Sequence, residues 1–319
     1  MRKNLPEAGV LIHLECGCRD MAPHQSDQID PRVVDAISSL GNSQRLRILL
    51  ALSEVVREHH EPHHTMTFTE LYDAVGIDSS SQFSYHLDQL VGQFVTETPN
   101  GYRLTDSGTR IVRVIRSGVY ESTSALEDRE IAGACLFCDE TSLLATLDAD
   151  LFRIRCMSCD AILITLSSPQ SQTRNRAPTE IYESFGYRIW SMYIQLRGGV
   201  CPECFGPVDT EVDQYEHGES VQYIHNSSCR ECQHLVSMPV ELPVAFHPAV
   251  LYLFWEHGIS VLDIPLWELY EYTTSDVFAT NIVSMEPFVA DFTITLEEEV
   301  LSLRMDDTAT VTLESWIQD

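Results

Sequence analysis

A chain of 319 residues, 44% of them hydrophobic, can build two or three cored domains, and no apolar run in it is long enough to span a membrane. Asp and Glu total 48 against 20 Lys and Arg, a formal net charge of −28. The acids are spread along the chain rather than blocked together, which excludes an acid-rich tail as their source.

Residues 1–29 read as a polar leader. The apolar run at residues 10–14 is too short for a signal-peptide core and is broken by His13, so a soluble, cytoplasmic protein is expected. Cys16 and Cys18, with His13 and His24 nearby, form a Cys-x-Cys pair whose flanks carry little structure. Met21 is a second candidate for the native start, because Lys3, the only lysine, lies before it; every other basic residue is Arg.

Residues 30–118 have helical periodicity broken by one hairpin signal. "PRVVDAISSLGN" is a short helix ended by Gly41-Asn42, and Ser43 caps "QRLRILLALSEVVREHH". The loop "HHEPHH" offers His59, His60, His63 and His64 as possible metal ligands, against the plainer reading of a solvated loop. Thr67-x-x-Glu70 is a capping box opening "FTELYDAV", which Gly76 ends. Ser79-x-x-Gln82 opens a further helix that puts Phe83, Leu87, Leu90, Val91 and Phe94 on one face. Two short strands around Pro99-Asn100-Gly101 follow, then a closing helix in which Ile111, Val112, Val114 and Ile115 exceed what one small domain must bury.

The segments "LGNSQRLRILLAL", "FTELYDAVGI", "QFSYHLDQLV" and "YRLTDSG", in this order, resemble the ArsR-type winged helix-turn-helix transcriptional regulators, in the branch found in halophilic archaea. The acidic, nearly lysine-free composition is similar to that of proteins from such organisms. The resemblance implies a homodimer that binds double-stranded DNA, often as a repressor, reading half-sites about 10 base pairs apart. It has two departures. Metal-sensing members carry Cys-x-Cys in the helix that here reads "ELYDAVG", so metal sensing at that position is not expected. Relatives also place cations in the recognition helix, whereas residues 79–101 contain no Lys or Arg and Asp88 sits beside the exposed face. With the apolar face inward, 100° per residue turns Ser81, Gln82, Tyr85 and Gln89 outward, and such side chains can read base edges. Positive charge is then expected from Arg45 and Arg47 in the second helix, Arg103 in the wing and Arg110 in the closing helix. At about 1 M salt the Debye length is roughly 3 Å, so distant acids oppose such binding little.

Beyond a linker helix expected at 119–134, eight cysteines form four Cys-x-x-Cys pairs. Cys135/Cys138 and Cys156/Cys159 are 17 residues apart; Cys201/Cys204 and Cys229/Cys232 are 24 apart. Each interval reads as a β-hairpin, and two knuckles on a hairpin make a zinc ribbon. The expectation is two structural zinc ions per monomer, in ribbons at 135–168 and 201–242. The alternatives are disulfides, redox-active thiols, or a cross-braced pairing of the first knuckle with the third. Between the ribbons, at 169–200, a Ser/Gln-rich linker (167–175) leads into an amphipathic helix carrying Tyr182, Phe185, Ile189, Met192 and Leu196. Residues 243–319 read as two helices and four antiparallel strands, an effector pocket or a dimerisation module.

The expected fold class is therefore α+β and multidomain: a winged helix-turn-helix, two zinc-ribbon-like modules and a small antiparallel α+β domain. The expected function is sequence-specific regulation of transcription; the rival is a protein–protein adaptor of the transcription machinery. No nucleophile elbow, phosphate loop or open His/Glu metal site points to an enzyme.

Overall fold

The structure, a computed structural model, describes residues 10–13, 29–59, 64–121, 126–148 and 150–317. The chain divides into two units, Asp20–Glu121 and the pair Met1–Arg19 with Ser122–Asp319. The chain's first strand is β1 (Val10–His13).

The Asp20–Glu121 unit contains α1 (Pro31–Leu40), α2 (Ser43–His59), α3 (Phe68–Val75), α4 (Ser80–Asp88), the hairpin β2 (Val95–Thr98) and β3 (Gly101–Leu104), and α5 (Asp106–Ser117). The start of α3 is the capping box its sequence announces. Thr67 Oγ1 accepts from the Glu70 N–H at 3.3 Å, and the Glu70 carboxylate accepts from the Thr67 N–H at 2.8 Å. Phe83, Leu87, Leu90 and Phe94 bury their side chains with Ile48, Leu49, Leu52 and Leu71, while Val91 is half-buried. Met66 extends the hairpin by exchanging two backbone hydrogen bonds with Tyr102, at 2.7 and 2.9 Å. That approach dictates glycine at 101, whose φ is +126°: a Cβ there would lie 2.2 Å from the Met66 carbonyl oxygen.

The other unit carries three sheets. In β4 (Leu126–Ile131), β5 (Leu143–Asp148), β6 (Leu151–Cys156) and β7 (Ile162–Ser167) neighbours are antiparallel, and β1 lies parallel along the free edge of β7, Val10 opposite Ile162. Then come α6 (Gln170–Thr173), α7 (Pro178–Arg197), and the three-stranded sheet of β8 (Val208–His217), β9 (Ser220–Cys229) and β10 (Leu235–Pro239). Helices α8 (Glu241–Ala245), α9 (Pro248–Glu256) and α10 (Leu266–Thr273) precede the four-stranded meander β11 (Phe278–Met285), β12 (Phe288–Leu296), β13 (Glu299–Met305) and β14 (Val311–Ile317). Along β12, Phe288, Ala290, Phe292 and Ile294 are buried and alternate with more exposed residues, the one-dry, one-wet pattern expected of this strand.

Four expectations are corrected here. Among its described residues the 119–134 stretch holds a strand, β4, and no helix; the strand's charged middle is exposed while Leu126 and Ile131 pack on the core, as suits an edge strand. The leader contains β1, because a short apolar run can complete the open edge of β7. The Ser/Gln-rich linker contains α6, with Gln172 buried and donating to Ser184 Oγ at 3.2 Å. Finally, residues 135–305 share one hydrophobic core rather than three modules. Helix α7 is the reason. Phe185 stacks on Phe152 at 3.9 Å, and Trp190 and Tyr193 pack on Phe246 at 4.8 and 4.7 Å, so one helix joins segments that the sequence assigned to separate domains.

Candidate metal centres and nucleic-acid interface

Each Cys-x-x-Cys pair is wound into the same turn. The first sulfur accepts the N–H two residues on: Phe137 to Cys135 at 3.4 Å, Ser158 to Cys156 at 3.3 Å, Glu203 to Cys201 and Glu231 to Cys229 at 3.4 Å. The backbone closes behind it, as in Cys135 N to Glu140 O at 3.0 Å and Cys201 N to Gly206 O at 3.0 Å. The residue after each second cysteine, Asp139, Asp160, Phe205 or Gln233, is left-handed, with φ between 58° and 64°. These four left-handed residues and four N–H donors were not singled out in the sequence. Their signal is positional, one residue after and one residue inside each knuckle, and carries no residue type of its own.

The turns bring the sulfurs together as two groups of four: Cys135, Cys138, Cys156 and Cys159, and Cys201, Cys204, Cys229 and Cys232. Within each group all Sγ atoms lie within 4.8 Å of one another. The near pairs are Cys135–Cys159 and Cys138–Cys156 at 3.6 Å, Cys201–Cys232 at 3.6 Å and Cys204–Cys229 at 3.4 Å. A tetrahedral ion with bonds to sulfur of about 2.3 Å spaces its ligands about 3.8 Å apart, so both groups could hold a metal ion. The cysteines are free thiols, and the first knuckle meets the second, not the third.

Burial and hydrogen bonding shift several of these thiols in opposite directions. Burial pushes Cys135 up, and Cys138 up to about 11. At Cys156 burial acts the same way and is the largest single influence, but the N–H groups of Cys159 and Ser158 together with the Cys138 and Cys159 thiols outweigh it and the net shift is down. In the second group burial raises Cys232 to about 12, while at Cys229 the N–H groups of Cys232 and Glu231 overcome burial and bring it to about 7. Each group thus has one sulfur shifted toward the thiolate and at least one that burial shifts away from it; a bound cation favours the thiolate at every ligand. The groups differ in cover. Cys204 and Cys232 are exposed, whereas Cys138 and Cys159 are half-buried. The tip of the β8–β9 hairpin adds to that cover: the His217 Nε2 lies 3.0 Å from the Cys159 carbonyl and its ring packs on Phe137 at 5.0 Å.

In the other unit, Ser81, Gln82 and Tyr85 are exposed on α4, Tyr85 at 60%, and Gln89, which caps the helix end, is exposed as well. Asp88 is exposed with them. The arginines are dispersed. Arg103 is half-buried on β3 opposite Thr96; Arg110 is exposed and lies 3.9 Å from Asp106. Arg45 has its Nε buried without a hydrogen-bond partner among the described residues, and Arg47 borders a depression shared with Glu54, Ala74 and Arg116. Cys16 and Cys18 lie outside the described residues, as does the "HHEPHH" loop apart from His64 and the backbone of His59.

Residues 132–311, more than half of the chain, match a family model described as a domain of unknown function (DUF7351). Residues 33–115 match a second, also described as a domain of unknown function (DUF7347). Comparison with curated proteins gives no match.

Proposed function

We propose that this chain, which belongs to the DUF7351 family, is a sequence-specific DNA-binding regulator of transcription that acts as a dimer and carries two structural zinc ions. The observation that carries this reading is the row Ser81, Gln82 and Tyr85 with the C-cap Gln89, exposed along a helix whose next element is a two-stranded hairpin. That is the order of a recognition helix and its wing, and neutral amides and hydroxyls suit base edges. Zinc is favoured by four thiolates at tetrahedral spacing, which close the coordination sphere and leave no position for a reacting water. A dimer is favoured by apolar side chains left in solvent on α1 and beyond α5: Val33 at 47%, Ile37 at 66% and Val119 at 53% exposed. The acidic, nearly lysine-free composition supports a salty cytoplasm as the setting, where the neutral helix would lose least.

Elemental analysis of the purified chain should give two zinc ions, and site selection in molar KCl should return one preferred sequence. Gln82→Ala should relax that preference and weaken the preferred site by on the order of 1–3 kcal/mol. Arg103→Ala should weaken all sequences alike. Asp88 favours the adaptor reading, since it puts an anion on the same exposed helix. If Asp88→Asn and Gln82→Ala both leave DNA binding unchanged, the helix is not the reader and a protein partner takes its place.

A further inference from the structure

A cavity of about 180 Å³ opens between the end of α7, the β8–β9 ladder, the start of α9 and the turn joining β13 to β14. Its lining is unlike the rest of the chain. Acids outnumber bases 48 to 20 overall, yet no Asp or Glu is among the lining residues. Arg197, His225 and His247 line it, together with the hydroxyl-bearing Tyr193, Thr210 and Ser227.

His225 is the most telling of these. It is 3% exposed, and neither ring nitrogen has a hydrogen-bond partner among the described residues. Ser227 lies two residues along the same strand, and Thr210 faces Ser227 from β8 with the two hydroxyl oxygens 3.2 Å apart. Burial holds the His225 imidazole down at about 4, so at neutral pH it presents one donor and one acceptor. His247 Nδ1 accepts from the Ala249 N–H at 3.2 Å, which leaves Nε2 as its N–H donor. Arg197 is exposed, and its charge acts on both Tyr193 and His247. Asp306, in the neighbouring turn, is engaged: its Oδ1 accepts from Thr308 and Thr310 at 2.6–3.0 Å.

We propose that this cavity binds a small organic oxyanion, its carboxylate or phosphate on Arg197 and the His247 N–H, with a ligand hydroxyl or carbonyl on His225. A cation is disfavoured by Arg197 and by the missing carboxylates. The end of α7 carries about half a negative charge, which the full charge of Arg197 exceeds. The volume lies below the roughly 300 Å³ at which drug-sized sites begin. The occupant is thus a compact metabolite. This inference does not depend on the chain binding DNA.

The test is a titration of the full-length protein, with isotopically labelled histidine, in molar KCl. Separate arms use malate, inorganic phosphate, glycerol and ethanolamine. The expected result is a saturable shift of the His225 and His247 imidazole signals with malate or phosphate, the responding arm identifying the oxyanion. Glycerol and ethanolamine should leave the signals unmoved. Arg197→Gln, on an exposed side chain, should weaken the response about tenfold or more, and Arg197→Lys should restore part of it. No response to either oxyanion, an equal response to glycerol or ethanolamine, or wild-type affinity in folded Arg197→Gln would each overturn the proposal.

Discussion

His225 also shows how one residue can set an acid limit. Its imidazole would take a proton near pH 6.5 in the unfolded chain, but burial delays this to about 4 in the folded one. Between those values the unfolded chain holds more protons, so stability rises with pH across the window. The contribution is complete above pH 6.5 and is lost as pH falls toward 4. Two to three pH units correspond to on the order of 3 kcal/mol. Unfolding free energies of wild type and His225→Phe, measured from pH 4 to 7, should diverge: the wild type should have the steeper slope. Parallel curves would show that this histidine is not protonated only on unfolding. Acid also strips thiolate-bound metal, but that loss is common to both proteins and cancels in the comparison.

The two cysteine clusters share one local design and differ in their surroundings. Cys204 and Cys232 face solvent, while the first cluster is half-covered and touched by the β8–β9 tip. A chelator should therefore remove one ion early, from the second cluster, and the other late. Cys204→Ser should retain one ion per chain, the slow one. Loss of both ions at a single rate would contradict this. At this scale the sequence was most legible where a motif repeats: the knuckle spacing picked out all eight clustered cysteines, while the choice between consecutive and cross-braced pairing came only from the fold. It was least legible where an element has no period. In β4 only Leu126 and Ile131 pack on the core, with four exposed residues between them, so strand character comes from pairing with β5. Helix α6 is four residues long, barely one turn, and leaves no pattern to find.

For the whole molecule the dominant quantity is the net charge of −28. Self-repulsion on that scale opposes folding, and salt relieves it as the Debye length falls from about 10 Å at 0.1 M to 3 Å at 1 M. The melting temperature should climb steeply with KCl over that range; a flat response would mean that the acids are already balanced within the fold. The same scale explains what periodicity could not reveal. The α7 pattern marks which residues are buried but not against what, and its partners lie in segments centred on Phe152, Phe246 and Trp267. A helix that reads as a connector is thus the middle of a shared core. The His225 cavity was hidden for the same reason, because its walls come from five separated segments with no common spacing.

The β8–β9 hairpin acts as a ruler. Its base holds Cys229 of one cluster, and its tip reaches the other through His217 on the Cys159 carbonyl and Gln222 on the Leu136 carbonyl. Each strand has ten residues, about 33 Å of reach, and the interval between its cysteine pairs is 24 residues where the first interval is 17. The longer interval goes with longer strands, ten residues each in β8 and β9 against six each in β5 and β6. One residue more in either strand would turn every later side chain to the wrong face, and one cross-strand pair more would overshoot by about 3.4 Å. The hairpin can exchange most of its letters and stay useful, but it cannot change its count.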